Sequence, residues 1–460
     1  MLKNNFKKGI IAIIILISLT TVSYFMRTSN ADGLPIDPSI TTVTPSIISV
    51  PPNNPVIIDA NNYNLDASGI SDTSAKFQLM IDSVSEGSTI KLTKGIYKIS
   101  STVNLKDNIT ITSESDVVIT GTGNNALFST GNNNSFKGIE FRNCSTALKV
   151  FKKSGLSVIN CKFTNNINFS AINFYGSSDS TVTDSYFSDI RKYGILIDDD
   201  SSNITIDNNN FDNDNVFGGY SKEQIGGHVY SLNGDNITVS NNILKNSGGQ
   251  GVIFGYNSTT GKGTTNSVAK NNLCEGNGQE GATIYGGSDK VTSGNSLIGN
   301  TAKNNRFNQI EVWQSDNNIV QNNTVEESIT GVGNLGAITL FNTTGTIVSG
   351  NNVKSAQSNG IAIVAGTSNT TVADNYIADT NRENDTITPE KGNGILLDWN
   401  GVADPKFITI RSNVITSSGE MIAKSGVYST SSKPHNNQID NNTITRYKYR
   451  VHFYARSTCR

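Results

Sequence analysis

Three consecutive aspartates, Asp198, Asp199 and Asp200, close a segment that begins "KYGILIDDD" at Lys192. A histidine, His228, follows in "GGHVYS". Carboxylates near a histidine suit acid–base chemistry. One carboxylic acid donates a proton to a leaving oxygen, a second carboxylate activates water, and the imidazole orients or tunes the acid. Adjacent negative charges raise one of the pKa values, as a proton donor requires. The same oxygens at Asp198 and Asp200 can instead hold Ca²⁺, with Lys192, Arg191, Lys222 or Tyr193 as base or clamp. The plain alternative is a solvated acidic turn. Glu311, two residues before Trp313 in "QIEVW", is a second carboxylate in aromatic company.

Residues this far apart meet only if the chain stacks upon itself, and an internal repeat supplies the means. A six-residue pattern recurs: apolar, any, small or polar, any, any, apolar. It reads Val158 to Phe163, Val182 to Phe187, Ile206 to Phe211 and Val239 to Leu244. It returns at Val268 to Leu273, Val320 to Val325, Val348 to Val353, Val372 to Ile377, Ile410 to Ile415 and Ile439 to Ile444, with a degenerate copy at Val291. Before most copies stands a second alternation, small-Ile-x-apolar-x, as in "GILID" at 194, "GATIY" at 281 and "AITLF" at 337. Short strands joined by polar turns at this spacing predict a parallel β-helix, in which neighbouring coils complete each other's backbone hydrogen bonds. Asparagines at matching turns stack as ladders and tolerate left-handed backbone.

Alternation then sorts the side chains. The Ile and the later apolar residue turn inward. The x positions face out in register, at Asn173 and Tyr175, Leu196 and Asp198, Thr283 and Tyr285, Glu311 and Trp313, Thr339 and Phe341, and Leu396 and Asp398. Tyr230 and Tyr256 fall near the same line. With coils about 4.8 Å apart, Tyr175, Tyr285, Trp313 and Phe341 form an outward stripe of rings, on which flat sugar faces can pack. Exposed aromatic rows are costly unless something covers them. The alternative is that long loops such as "GKGTTNS" bury them.

Composition limits the remaining choices. The 460-residue chain has 16% charged residues and a formal net charge of −2, which argues against nucleic-acid binding. Residues 1–31 show a basic start, an apolar run from Gly9 to about Met26 and small residues at Ser29-Asn30-Ala31. This predicts a secretory signal peptide, or a membrane anchor if uncleaved. Residues 32–55 are rich in Pro, Ser and Thr and predict an extended linker. Cys144, Cys161, Cys274 and Cys459 form no zinc pattern. They are expected as small buried residues, with Cys144 and Cys161 near enough on adjacent coils to pair.

From Val56 to Ser100, Phe77, Met80, Ile81 and Val84 mark one face of a helix capped by Asp72 or Thr73. A strand and "TKGIYKIS" follow. This stretch resembles the N-terminal cap of the pectin-lyase-like superfamily of right-handed parallel β-helix proteins. The resemblance implies an all-β right-handed solenoid over 56–460, with an N-terminal cap at about 56–100. The aromatic and basic end, about 445–460, is expected to form the C-terminal cap. The superfamily includes polygalacturonase-like hydrolases, pectate lyases, alginate epimerases, tailspike depolymerases and non-catalytic adhesins.

Asp199-Asp200 and Gly227-His228 match the paired aspartates and Gly-His-Gly segment of the polygalacturonase-like hydrolases. Val229 replaces the second glycine, the spacing is longer, and the Arg-Ile-Lys segment of that family is not found. "YGILIDDDSSNITI" is similar to the alginate epimerase active-site segment but lacks its Asp-Pro-His-Glu run. The resulting expectation is a secreted or surface-held enzyme that cleaves glycosidic bonds of a polysaccharide, with hydrolysis placed ahead of β-elimination. Asp198, Asp199, Asp200 and His228 would be catalytic. Tyr175, Lys192, Tyr193, Tyr230, Tyr285, Glu311, Trp313 and Phe341 would bind substrate. A hydrolase needs no cofactor, and a lyase would use Ca²⁺. The alternatives are a uronate lyase or C5-epimerase, and a glycan-binding adhesin without catalysis.

Overall fold

A computed structural model describes residues 56–214, 226–327, 335–419, 424–431 and 435–453. The expected signal peptide, the linker, Lys222 and Cys459 lie outside them. Among the described residues no helix is long and apolar enough to cross a membrane.

The chain winds as a parallel β-solenoid. One helix, α1 (Ser74–Ser83), lies near its N-terminal end. Phe77, Met80, Ile81 and Val84 are buried as their spacing predicts, and Phe77 packs edge-on against Phe128 at 5.6 Å. Thr73 is the N-cap residue. The capping carboxylate comes from Asp72, which accepts the Ser74 N–H at 3.1 Å. Each coil then contributes one strand to a fourteen-strand parallel sheet running from Val103–Asn104 to Tyr449–Phe453, and short strands to a second, twenty-eight-strand sheet. Tyr449–Phe453 pairs with Ser425–Ser429 as the last rung of the first sheet. The described part of the expected C-terminal cap thus continues the coil stack.

The six-residue pattern is a corner of the second sheet. In Ile206 to Phe211, Ile206 and Phe211 point inward and Asn208 turns the chain with φ +54°. The matching residues of other coils, among them Asn160, Asp184, Asn241, Asn271 and Gly299, are also left-handed. Only residues that tolerate that backbone fit there, which is why the pattern asks for a small or polar residue. The next residue, Asn209, is buried and begins a ladder through Asn242, Asn272, Asn300, Asn323, Asn351, Asn375, Asn413 and Asn442. Each amide oxygen takes the backbone N–H of the preceding coil at 2.8–3.0 Å. The asparagine excess thus follows from satisfying the backbone at a buried corner.

Two copies of the repeat are displaced, the first by one residue. Ala269 and Cys274, not Val268 and Leu273, pair with the inward Val239 and Leu244. The coil after it uses Leu297 and Ala302, so Val291 does not start a copy. Inside the stack, Phe141, Phe163, Phe187 and Phe211 lie ring on ring, with centroids 5.1, 4.8 and 4.2 Å apart. Cys144, Cys161 and Cys274 are buried and free, so the pairing considered for Cys144 and Cys161 does not form.

Candidate active site

The strands of the fourteen-strand sheet depart from simple alternation at their first residue. In small-Ile-x-apolar-x the small residue and the following Ile both face inward. A Cβ added at Gly194 would meet Asp214 Oδ2 and Phe211 Cδ1 at 3.0 Å, and one at Gly360 would meet Ile377 Cγ2 at 2.4 Å. The corner of the coil leaves no room there, so small residues recur. The residue before the small one is thereby turned to the outer face. Tyr193, Gly227 and Gln250 are in register at this position. Glu280 and Asn308 continue the row, because Val252, Ala282 and Ile310 pair two residues later on successive coils.

His228 occupies the inward small slot. Its ring is fully buried, 5.6 Å from Phe211. Its Nδ1 is 2.9 Å from Asp214 Oδ2 and its Nε2 is 2.8 Å from the Lys245 carbonyl. The expected partnership with the aspartates is corrected by this geometry. His228 faces the core, because the strand begins with two inward residues instead of one. Gln309, in the same slot, likewise reaches the corner, where its amide oxygen accepts from Asn305 at 2.8 Å.

The three aspartates separate as well. Asp198 is 2% exposed. Its Oδ1 accepts from Asn257 Nδ2 at 3.0 Å and from the Asp199 N–H at 2.8 Å. Burial pushes its carboxyl above the ordinary range, against the Asn257 contact. Asp199 and Asp200 form a left-handed turn, φ +55° and +59°, and Asp200 pairs with Lys262. Among the described residues no three acidic, histidine or cysteine side chains gather to hold a metal ion. At the proposed Ca²⁺ site, Asp198 is instead engaged by an amide and Asp200 by an ammonium group.

The aromatic stripe is in place. Tyr285, Trp313 and Phe341 stand in register on the outer face and are half-buried. Trp313 and Phe341 lie face to face, 3.7 Å between centroids and 1° from parallel. On earlier coils of the same row, Tyr175 stacks on Phe151 at 5.3 Å and is in register with Asp198. The hairpin carrying "GKGTTNS" sends Tyr256 against Tyr285 at 5.6 Å and Asn257 onto Asp198, so it covers part of this face. Tyr193 and Tyr230 pack at 5.2 Å. The Lys192 ammonium sits 5.2 Å from the Tyr193 ring and 5.7 Å from Phe169, with its pKa lowered by burial.

At the centre of this face the structure joins a residue that sequence reasoning found to one that it missed. Glu311 and Glu280, on adjacent coils, lie close enough for each carboxyl to influence the other's titration. Glu311 is 7% exposed. Burial first, and then the neighbouring Glu280 charge, hold its carboxyl well above the usual carboxylate range. Burial also raises Glu280, while a backbone hydrogen bond and the Gln250 amide oppose that rise. Glu311 is the more deeply buried of the two, which favours its neutral form. Asn308 Nδ2 donates to Glu311 Oε2 at 2.7 Å, and the Thr339 hydroxyl donates to Asn308 Oδ1 at 3.1 Å. Gln250 Nε2 donates to Glu280 Oε2 at 3.3 Å. Each carboxyl thus has one oxygen fixed by an amide. Burial raises the phenols of Tyr230 and Tyr285, and the Glu280 charge adds to the rise at Tyr230. Glu280 was legible only as the outward residue before a small slot, in "GQEGATIY".

The sequence pattern of the right-handed β-helix region matches residues 83–259, 200–325 and 292–444. The chain belongs to the right-handed β-helix family. The resemblance to the pectin-lyase-like superfamily stands at this level. No curated protein matches the chain by sequence. Among solved structures, the catalytic unit of a GH87 α-1,3-glucanase from Streptomyces thermodiastaticus is 12% identical. It has a TM-score of 0.52 over 88% of this chain and 71% of that one. The A-module of the mannuronan C-5 epimerase AlgE6 from Azotobacter vinelandii is 14% identical, with a TM-score of 0.51 over 86% and 99%. The surface adhesin PfbA of Streptococcus pneumoniae is 16% identical, with a TM-score of 0.43 over 87% and 93%. At these identities the likeness is one of fold.

Proposed function

We propose that the chain binds a polysaccharide along the outer face of the fourteen-strand sheet and hydrolyses glycosidic bonds at Glu280 and Glu311. The observation that carries this reading is the carboxyl pair on adjacent coils, each member held by an amide, on the face that carries the Trp313–Phe341 platform. Glu311, held protonated, donates to the glycosidic oxygen, and the Glu280 carboxylate activates water. Asn308 and Thr339 position Glu311, and Gln250 positions Glu280. Hydrolysis fits better than β-elimination. Elimination needs a cation beside the sugar carboxylate, and the outward rows of these central coils carry no Lys or Arg among the described residues. A negative Glu280 would also repel a uronate, so a neutral sugar is favoured at the cleavage point. The leader-like segment 1–31 supports action outside the cell, and the hydrolytic reading calls for no metal.

A second reading, glycan binding without cleavage, draws on one feature. Glycosidase carboxyls stand roughly 5–5.5 or 6.5–9.5 Å apart, whereas these two lie close enough to influence each other's titration, so hydrolysis requires the substrate or a water to set their spacing. The test is incubation with neutral and uronic polysaccharides. New reducing ends without absorbance from an unsaturated product, abolished by Glu311→Gln and by Glu280→Gln, support hydrolysis. An unsaturated product overturns it in favour of elimination, and binding without products establishes the second reading.

A further inference from the structure

The outward row that carries Tyr285, Trp313 and Phe341 has a second group of rings at its other end. Five coils before Tyr285, about 24 Å along the stack, the row starts with Phe151, in register with Tyr175 on the next coil. Their rings lie 5.3 Å apart and 14° from parallel. The preceding coil sets Ser129 opposite Lys149, and Gly131 follows two residues later, so no large side chain of that coil stands in line with Phe151. The ring is 45% exposed. Between the two ends of the row Asp198 and Leu232 are buried, and Asn257 closes over Asp198. The rings at Phe151 and Tyr175 are therefore separate from the central platform.

Charge distinguishes this end from the centre. Lys149 Nζ lies 5.7 Å and Lys152 Nζ 5.4 Å from the centre of the Phe151 ring. Both lysines are exposed, and neither ammonium has an ion pair or hydrogen bond among the described residues. Lys153, by contrast, is paired with Asp107 at 3.6 Å. Lys152 also holds a left-handed backbone, φ +53°, at a corner where the next two coils place Gly176 and Asp199. Lysine suits that backbone poorly, so the corner accepts strain to set an ammonium beside the ring. Gly176 leaves room for it, since a Cβ there would meet Lys152 Cγ at 3.3 Å. Asp199 flanks the same glycine, with Oδ2 also 3.3 Å from that Cβ, and forms no ion pair with Lys152.

Two unpaired cations beside one exposed ring call for a ligand with an anionic group and an apolar face. A sugar ring bearing a carboxylate or sulfate has both. Its C–H face packs on Phe151, and its anionic group accepts from Lys149 and Lys152. Asp199 can accept from a hydroxyl of the same ring, whereas it repels a run of acidic residues, which disfavours an acidic peptide.

We propose that Phe151, Tyr175, Lys149 and Lys152 form a second carbohydrate site, which takes an anionic sugar ring. The choice of a sugar rests on the polysaccharide reading of this face, and the charge of the ligand does not. The experiment uses the full chain carrying Trp313→Ala and Phe341→Ala, so that the central platform no longer binds. Methyl glucuronide, a sulfated galactose, methyl glucoside and a hexaglutamate peptide are titrated by saturation-transfer NMR, and the first two separate a carboxylate from a sulfate as the group recognised. At least one charged sugar should bind, about tenfold or more tighter than the neutral glucoside and less tightly as salt is added. Adding Phe151→Ala should weaken that binding about five- to tenfold. Lys149→Ala and Lys152→Ala should each weaken it about threefold. Lys149→Glu, which reverses the charge at an exposed position without touching the ring stack, should abolish it. No charged sugar bound, binding unchanged by Phe151→Ala and Lys149→Glu, or tighter binding of the peptide than of either charged sugar would overturn the proposal. Cleavage by the wild-type chain is read separately, so its absence would defeat the hydrolytic reading and leave this site standing.

Discussion

Replacing His228 by alanine separates a structural histidine from a catalytic one. The substitution leaves Asp214 Oδ2, previously bonded at 2.9 Å, without a partner inside the solenoid, while the Lys245 carbonyl loses its 2.8 Å contact with His228 but keeps the Asn213 N–H at 3.1 Å. Removing the partner of a buried carboxylate costs about 3–5 kcal/mol. Asp214 keeps the Ile190 N–H at 3.3 Å and can take up a proton, so the cost should fall near the lower end, about 3 kcal/mol. Against total stabilities of about 5–15 kcal/mol, that is enough to lower the thermal midpoint by several degrees.

The loss should also depend on pH. Burial raises the Asp214 carboxyl and the His228 contact lowers it, so in the variant the carboxyl rises further. A carboxyl raised in the folded state costs nothing below its unfolded pKa, and its full penalty appears once the pH has risen through the folded value. The gap between wild type and variant should therefore be smaller at about pH 4 than at about pH 7. Thermal unfolding followed by circular dichroism at both pH values, with cleavage measured per folded molecule, provides the assay. A variant with an unchanged midpoint and cleavage reduced more than about a hundredfold would refute the reasoning and restore His228 to a catalytic role.

Glu311→Gln and Glu280→Gln should each reduce cleavage by about 10²–10⁴-fold with little change in oligosaccharide affinity, as measured by single-turnover kinetics and calorimetry. Wild-type cleavage should persist above the ordinary glutamate range and fall as pH rises through the Glu311 pKa. In Glu280→Gln, infrared titration should place the Glu311 carboxyl lower than in the wild type, because the neighbouring charge is gone. Trp313→Ala breaks the stacked pair with Phe341 and should weaken oligosaccharide binding about five- to tenfold, an aromatic contact's roughly 1–1.5 kcal/mol. Asn300→Ala leaves the Asn272 N–H unpaired and removes one of the bonds to the Ala269 carbonyl. It should destabilise by about 1–3 kcal/mol in denaturant unfolding without altering the cleavage pattern.

The sequence alone determined the coil. Inward Val, Ile and Phe at fixed spacing, left-handed Asn and Asp at the corners and the amphipathic helix Ser74–Ser83 each follow from rules that act over a few residues. The outward register of Tyr285, Trp313 and Phe341 was legible for the same reason, since alternation within a strand is local. Only the tertiary structure decided which residues meet. Glu280 reaches Glu311 because two consecutive inward residues at each strand start turn the preceding side chain outward. That break arises from crowding at a corner built by the next coil. The same crowding sends His228 inside to Asp214, and the inserted hairpin ties up Asp198 and Asp200. Contacts between coils depend on the space that neighbouring coils leave, and a pattern read along one strand does not contain that space.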